Sequence, residues 1–97
     1  MAKTYFRITE VVRICGVSKR FVLLLERENL IRPVTRGREK LYPLRDLDRI
    51  RVAQLLFHDM GVNLEGIEVA LHMRDQIIAM RRRLEELMAQ ARARPGL

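Results

Sequence analysis

Cysteine is almost missing from this chain of 97 residues: Cys15 stands alone, so there is no disulfide framework and no Cys/His metal set. It lies in an apolar stretch and reads as a small buried hydrophobe rather than a reactive thiol. No run approaches the roughly 18 apolar residues that a membrane-spanning helix needs. The opening "MAKTYFRITE" has no signal-peptide core, and a soluble, cytoplasmic protein without membrane contact is expected. The chain also lacks a Ser/His/Asp or Cys/His arrangement, a glycine-rich phosphate loop and a ligand cluster, which argues against an enzyme with catalytic residues or a cofactor. His58 and His72 are isolated and read as solvated or core-edge side chains, not metal ligands. Repeats and low-complexity segments are absent. One domain is expected, with little room for a second, sensing one.

Positive charge, by contrast, is plentiful. The formal net charge is +7, and residues 1–50 hold twelve Lys and Arg against six Asp and Glu, whereas residues 51–97 hold seven against six. A basic surface confined to the first half is the electrostatic footprint of nucleic-acid binding, although a solubilising surface would carry the same excess.

The order of elements gives that charge a frame. "RITEVVRICGVS" reads as a short helix capped by Thr9, with Ile8, Val11, Val12 and Cys15 on its apolar face and Gly16 as its stop. Ser18 caps a second helix, from about Lys19 to Asn29, and two short helices around a glycine turn form a helix-turn-helix. "RPVTRGREKLYP" follows as a small basic hairpin, a wing, with Arg32, Arg36, Arg38 and Lys40 within nine positions. A hairpin tip has little to bury, so these cations favour phosphate contact. Pro43 then opens a third helix in its first turn, with Leu44, Leu47, Ile50, Ala53/Gln54 and Phe57 at helical steps and Gly61 ending it. Asn63 caps a fourth, which runs unbroken or with a slight break near His72-Met73. Within it Ala70, Met73, Ile77, Met80, Leu84, Leu87 and Ala91 alternate at three- and four-residue steps, a seam of about three heptads. An ordinary amphipathic helix gives the same pattern, but so small a chain has little to cover a seam reaching residue 91, and pairing with a second copy is favoured. The expectation is therefore a mainly α protein. Residues 1–62 form a winged helix-turn-helix, 63–93 a dimerisation helix, and 94–97 a frayed tail.

"ITEVVRICGVSKRFVLLLERENLI", "GREKLYPLRDLDRIRVAQLL" and "MGVNLEGIEVAL", in this order and spacing, resemble the MerR superfamily of winged-helix regulators over nearly the whole chain. "GVNLEGI" is similar to the heat-shock repressor (HspR-like) branch. "GIEVALHMRDQI" is similar to the chaperone-modulator (CbpM-like) branch, whose members bind the J-domain of DnaJ-type co-chaperones. The resemblance implies a reading helix at 19–29 with Ser18, Lys19 and Arg20 at the major groove. It also implies Arg36, Arg38 and Lys40 on flanking phosphates, with Tyr42 closing the wing. The departure is Leu23-Leu24-Leu25, where family members carry an arginine and two tyrosines. Consecutive helical positions span about 200°, so one leucine faces outward, with Leu24 as the candidate. The three together are the candidate surface for a protein partner. Two functions follow: a homodimeric regulator on double-stranded DNA, nucleoid-associated, or a modulator of a DnaJ/DnaK-type chaperone. The basic charge weighs toward DNA, because J-domains carry basic patches themselves.

Overall fold

The structure is a computed structural model that describes residues 3–94. The chain runs β1 (Tyr5–Phe6), α1 (Ile8–Cys15), α2 (Lys19–Arg27), β2 (Val34–Arg36), β3 (Glu39–Pro43), α3 (Leu44–Gln54), a π-helical turn (Leu55–Asp59) and α4 (Leu64–Arg92). This is the mainly helical, winged architecture with a long last helix that the sequence leads one to expect. The expected tail falls outside the described residues from 95 onward.

Backbone chemistry sets the helix ends. α1 begins one residue before Thr9, not after it: Arg7 is the cap position, and Glu10 turns back to accept the Arg7 N–H at 3.0 Å. The cause is β1, which the sequence reading missed. Tyr5 and Phe6 pair antiparallel with Pro43 and Tyr42, holding the chain extended up to the start of the helix. At its far end Gly16 takes φ 66°, and the Val17 N–H reaches the Val12 carbonyl at 3.3 Å. α2 stops two residues short of the expected Asn29 by the same device. Asn29 sits at φ 60°, its N–H goes to Glu26, and the Leu30 N–H reaches the Leu25 carbonyl at 2.9 Å. This is the Schellman closure, with the usual apolar contact supplied by the buried Leu25 and Leu30.

The three strands form one antiparallel sheet in the order β1-β3-β2. Val34, Thr35 and Arg36 pair with Leu41, Lys40 and Glu39, leaving Gly37-Arg38 as a two-residue loop, whereas Arg32 lies before the hairpin and not in it. Pro43 ends β3 and occupies the cap position of α3, so the helix begins at Leu44, one residue later than expected. The Leu44 N–H goes to the Thr4 carbonyl at 3.0 Å. α3 buries Leu47, Ile50 and Ala53 on one stripe. The π turn widens the helix after Gln54, and with the register changed, Leu56 packs on the core and Phe57 is left exposed.

α4 is continuous, without a break at His72-Met73. Asn63 caps it, accepting the Gly66 N–H at 2.8 Å. A side chain at Gly66 would meet a Val62 methyl at 2.6 Å, so this glycine allows the α3–α4 corner to close. Ile67 and Leu71 dock α4 in the common core with Val11, Val22, Leu25 and Ile50. Farther along, Arg49 meets both Asp75 oxygens at 2.8 Å and Arg74 meets Asp48 at 2.6 Å, joining α3 to α4. Beyond these pairs every described residue of α4 is exposed.

One carboxylate sits in the core. Asp46 is fully buried: Oδ1 accepts the Arg32 N–H at 3.3 Å, and Oδ2 has no protein hydrogen-bond partner among the described residues. Burial is the main cause that pushes its carboxyl above the usual value of 3.8; the Arg32 N–H, Arg45 and Arg49 oppose it only in part. Between that value and its raised folded pKa, the folded chain holds a proton that the unfolded chain has lost, so this residue's contribution to stability falls as pH rises. Asp46→Asn imitates the protonated form. It should melt above the parent near pH 7, and the gap should close as pH is lowered toward about 4. A thermal melt series over pH checks this; a gap that widens in acid would show that the buried charge is favoured.

Candidate nucleic-acid interface

α2 opens in a way that isolated helices avoid. Ser18 caps it by accepting the Phe21 N–H at 3.0 Å, and its first turn holds Lys19 and Arg20 with no acidic residue. Cations beside the positive end of a helix dipole each cost the helix roughly 0.3–1 kcal/mol. An anion held at this end would offset that cost. Both side chains are exposed, and neither has a carboxylate within ion-pair distance among the described residues.

The wing supplies fewer free cations than expected. Arg38 stands exposed in the loop, and Arg36 lies over the Tyr5 ring, its guanidinium carbon 4.6 Å from the centroid. Lys40 instead turns to α2, its ammonium 2.7 Å from Glu26 Oε2. Tyr42 is not a contact residue at all. Its ring is fully buried and its hydroxyl donates to Glu26 Oε1 at 3.0 Å. Burial, then this acceptor, pushes its pKa far up, so the hydroxyl keeps its proton at any physiological pH. Arg32 lies against α3, away from the wing, in a cleft with Arg45 and Arg49.

Glu26 therefore organises the interface, and the sequence reading passed over it. One oxygen takes the wing's lysine and the other the tyrosine of β3, pinning the hairpin to the reading helix. Spacing carries no signal for this, because sixteen residues separate Glu26 from Tyr42.

The leucine run divides three ways. Leu25 is wholly buried and is removed as a partner contact; Leu24 packs partly against the core; Leu23, 40% exposed, is the outward one, correcting the assignment to Leu24. Beside it, Phe21 meets Phe57 and His58 with ring centroids 5.7 and 5.1 Å away. Cys15 is half-buried and its thiol faces the Leu47 carbonyl at 3.8 Å; burial raises its pKa, which keeps the thiol protonated. Among the described residues no group of three or more His, Cys, Asp or Glu could hold a metal, and no helix is long and apolar enough to cross a membrane.

The family model described as MerR HTH family regulatory protein matches residues 6–89, from the second residue of β1 to near the end of α4. Among curated proteins, the chain is 30% identical over 83 residues to a Streptomyces coelicolor protein that carries the name heat shock protein HspR. The match covers 84% of this chain and 55% of that protein, so the chain spans about half the relative's length.

The buried hydroxyl makes the Glu26 node unequal under mutation. Tyr42→Phe removes donor and bond together and should cost about 1 kcal/mol of stability. Glu26→Ala leaves the Tyr42 hydroxyl buried without this acceptor and should cost roughly 1–3 kcal/mol. Urea unfolding of both variants checks the order; equal losses would mean that the hydroxyl finds another acceptor.

Proposed function

The chain belongs to the MerR family of helix-turn-helix regulatory proteins, and on that premise we propose that it is a homodimeric, non-enzymatic transcriptional regulator of heat-shock-repressor type that binds duplex DNA in the cytoplasm. The observation that carries this reading is the unpaired Lys19-Arg20 pair at the start of a capped helix, with a wing held beside that helix through Glu26. α2 enters the major groove with its N-terminal turn. Ser18, Lys19 and Arg20 meet phosphates and base edges, and Arg36 and Arg38 hold the flanking backbone. Lys40 is already neutralised by Glu26 and contributes little.

Two-fold pairing through α4 sets the distance between half-sites. Ala70 is only part-exposed, whereas Met73, Ile77, Met80, Leu84, Leu87 and Ala91 are all exposed and unpartnered in the single chain. Most helical stability in proteins comes from packing an apolar face, and burial of this stripe against a second copy supplies that packing to the free end of α4. Replacing Ile77 and Leu84 together by Asp should convert a dimer to monomer in sedimentation equilibrium. If the parent itself sediments as a monomer at micromolar concentration, the pairing is wrong.

A second reading, modulation of a DnaJ-type co-chaperone through its J-domain, draws support from the exposed Leu23. The basic surface around that leucine opposes a partner that is itself basic.

DNA binding is tested with labelled duplex from the region upstream of the protein's own gene. Lys19, Arg20, Arg36 and Arg38 of two subunits give eight phosphate-directed cations and a slope of log K against log salt of about −7. Affinity should thus fall by about three to five orders of magnitude between 50 and 200 mM salt. Arg36→Ala with Arg38→Ala should make the slope shallower by about 1 for each contact removed. Binding no tighter than to random duplex would overturn the operator-reading function.

A further inference from the structure

A groove of about 610 Å³ runs along α2 from Ser18 to Arg27, with His58 of the π turn as its opposite wall. Its apolar lining is Phe21, Leu23 and Leu24; its charged lining is Arg20 and Arg27, and no carboxylate lines it. Arg20, Leu23, Leu24 and Arg27 are spaced i, i+3, i+4 and i+7, so they form one stripe with leucines at the centre and a guanidinium at each end.

We propose that this groove is a docking site for an acidic amphipathic helix of a partner protein. Charge complementarity selects the sign of the partner: two guanidinium groups without ion-pair partners among the described residues flank the leucines, so the ligand brings carboxylates about two turns apart. The walls select its shape. Both are side chains on helical backbone, with no open strand edge to pair an extended peptide, whereas a helix laid along α2 places its own apolar side chains over Leu23 and Leu24. The span from Ser18 to Arg27 is about 14 Å, which matches two to three turns of a partner helix. Arg20 also belongs to the surface assigned to DNA, so the peptide and the duplex exclude one another. The proposal itself rests on the groove and stands apart from the DNA reading.

The test is display selection of random 12-residue peptides on the immobilised full-length chain, with enriched peptides remeasured by fluorescence anisotropy. The expected winners carry apolar residues at i, i+3 or i+4 and i+7 with Asp or Glu at the flanks, and bind with Kd on the order of 10 μM. Leu23→Ser should weaken them at least about tenfold, as should Arg27→Glu, while Arg92→Glu, at the far end of α4, leaves them within about twofold. Leu23 is outward, so both groove variants should keep the parent's circular dichroism; the Arg27 variant alone decides should the other misfold. No enrichment, winners that survive both groove variants, or winners lost with Arg92→Glu would each overturn the proposal. So would basic winners. Loss of duplex binding in Leu23→Ser without any selected peptide would assign the leucine to DNA instead. Failure of the operator assay, by contrast, leaves the selection result standing.

Discussion

The capped helix α2 and the wing come from separate stretches of chain, and the Glu26 carboxylate joins the two. A two-stranded hairpin is marginal by itself. β1 covers one edge of β3, and β2 relies on the β3 ladder alone. Glu26 adds a link from outside the sheet, to Lys40 at the middle of the wing and Tyr42 at its base. The Lys40 pair is partly exposed and adds little stability. The Tyr42 hydroxyl has no access to water, so its bond to Glu26 is costly to lose. The strong half of the node lies under the weak half, and the cations of the loop project from a base that is held in place.

Much of this architecture was legible before any coordinates, for physical reasons that differ from element to element. Three- and four-residue apolar steps gave α1, α3 and α4, and Ser18 and Asn63 announced true caps because a short polar side chain before an apolar run has few other uses. Thr9 misled for an instructive reason. It has the right chemistry, but the pairing of Tyr5-Phe6 with β3 is a long-range event, and two residues show no alternation to reveal it. The end of α2 was misplaced because Asn29 is a tolerable helical residue and also one of the few that accept a left-handed backbone. The π turn after Gln54 was equally invisible, and it decides that Phe57 faces outward.

The candidate site was legible as a set of residue types and not as a geometry. Lys19, Arg20 and Arg38 are exposed with no ion pair among the described residues, while Arg36 lies over the Tyr5 ring. Lys40 and Tyr42 are drawn inward by a glutamate that composition counts only as a subtraction from net charge. For the leucines, helical phase alone could not say which one faces solvent, since the answer depends on where the core lies. Ile67 and Leu71 arrive from α4, near the other end of the chain, to complete the core that takes Leu25.

Arg49 links α4 to the end of α2. Its Nε donates to the Leu30 carbonyl at 2.6 Å, just past the end of α2, while its Nη1 bonds both oxygens of Asp75 on α4. The side chain is only 18% exposed, so salt screens this link less than a surface pair. One guanidinium thus ties the exit of α2 to the first half of α4. A planar fork holds direction as well as distance, which a lysine at the same place would not do. Arg49 therefore fixes the direction in which α4 leaves the core relative to the end of α2.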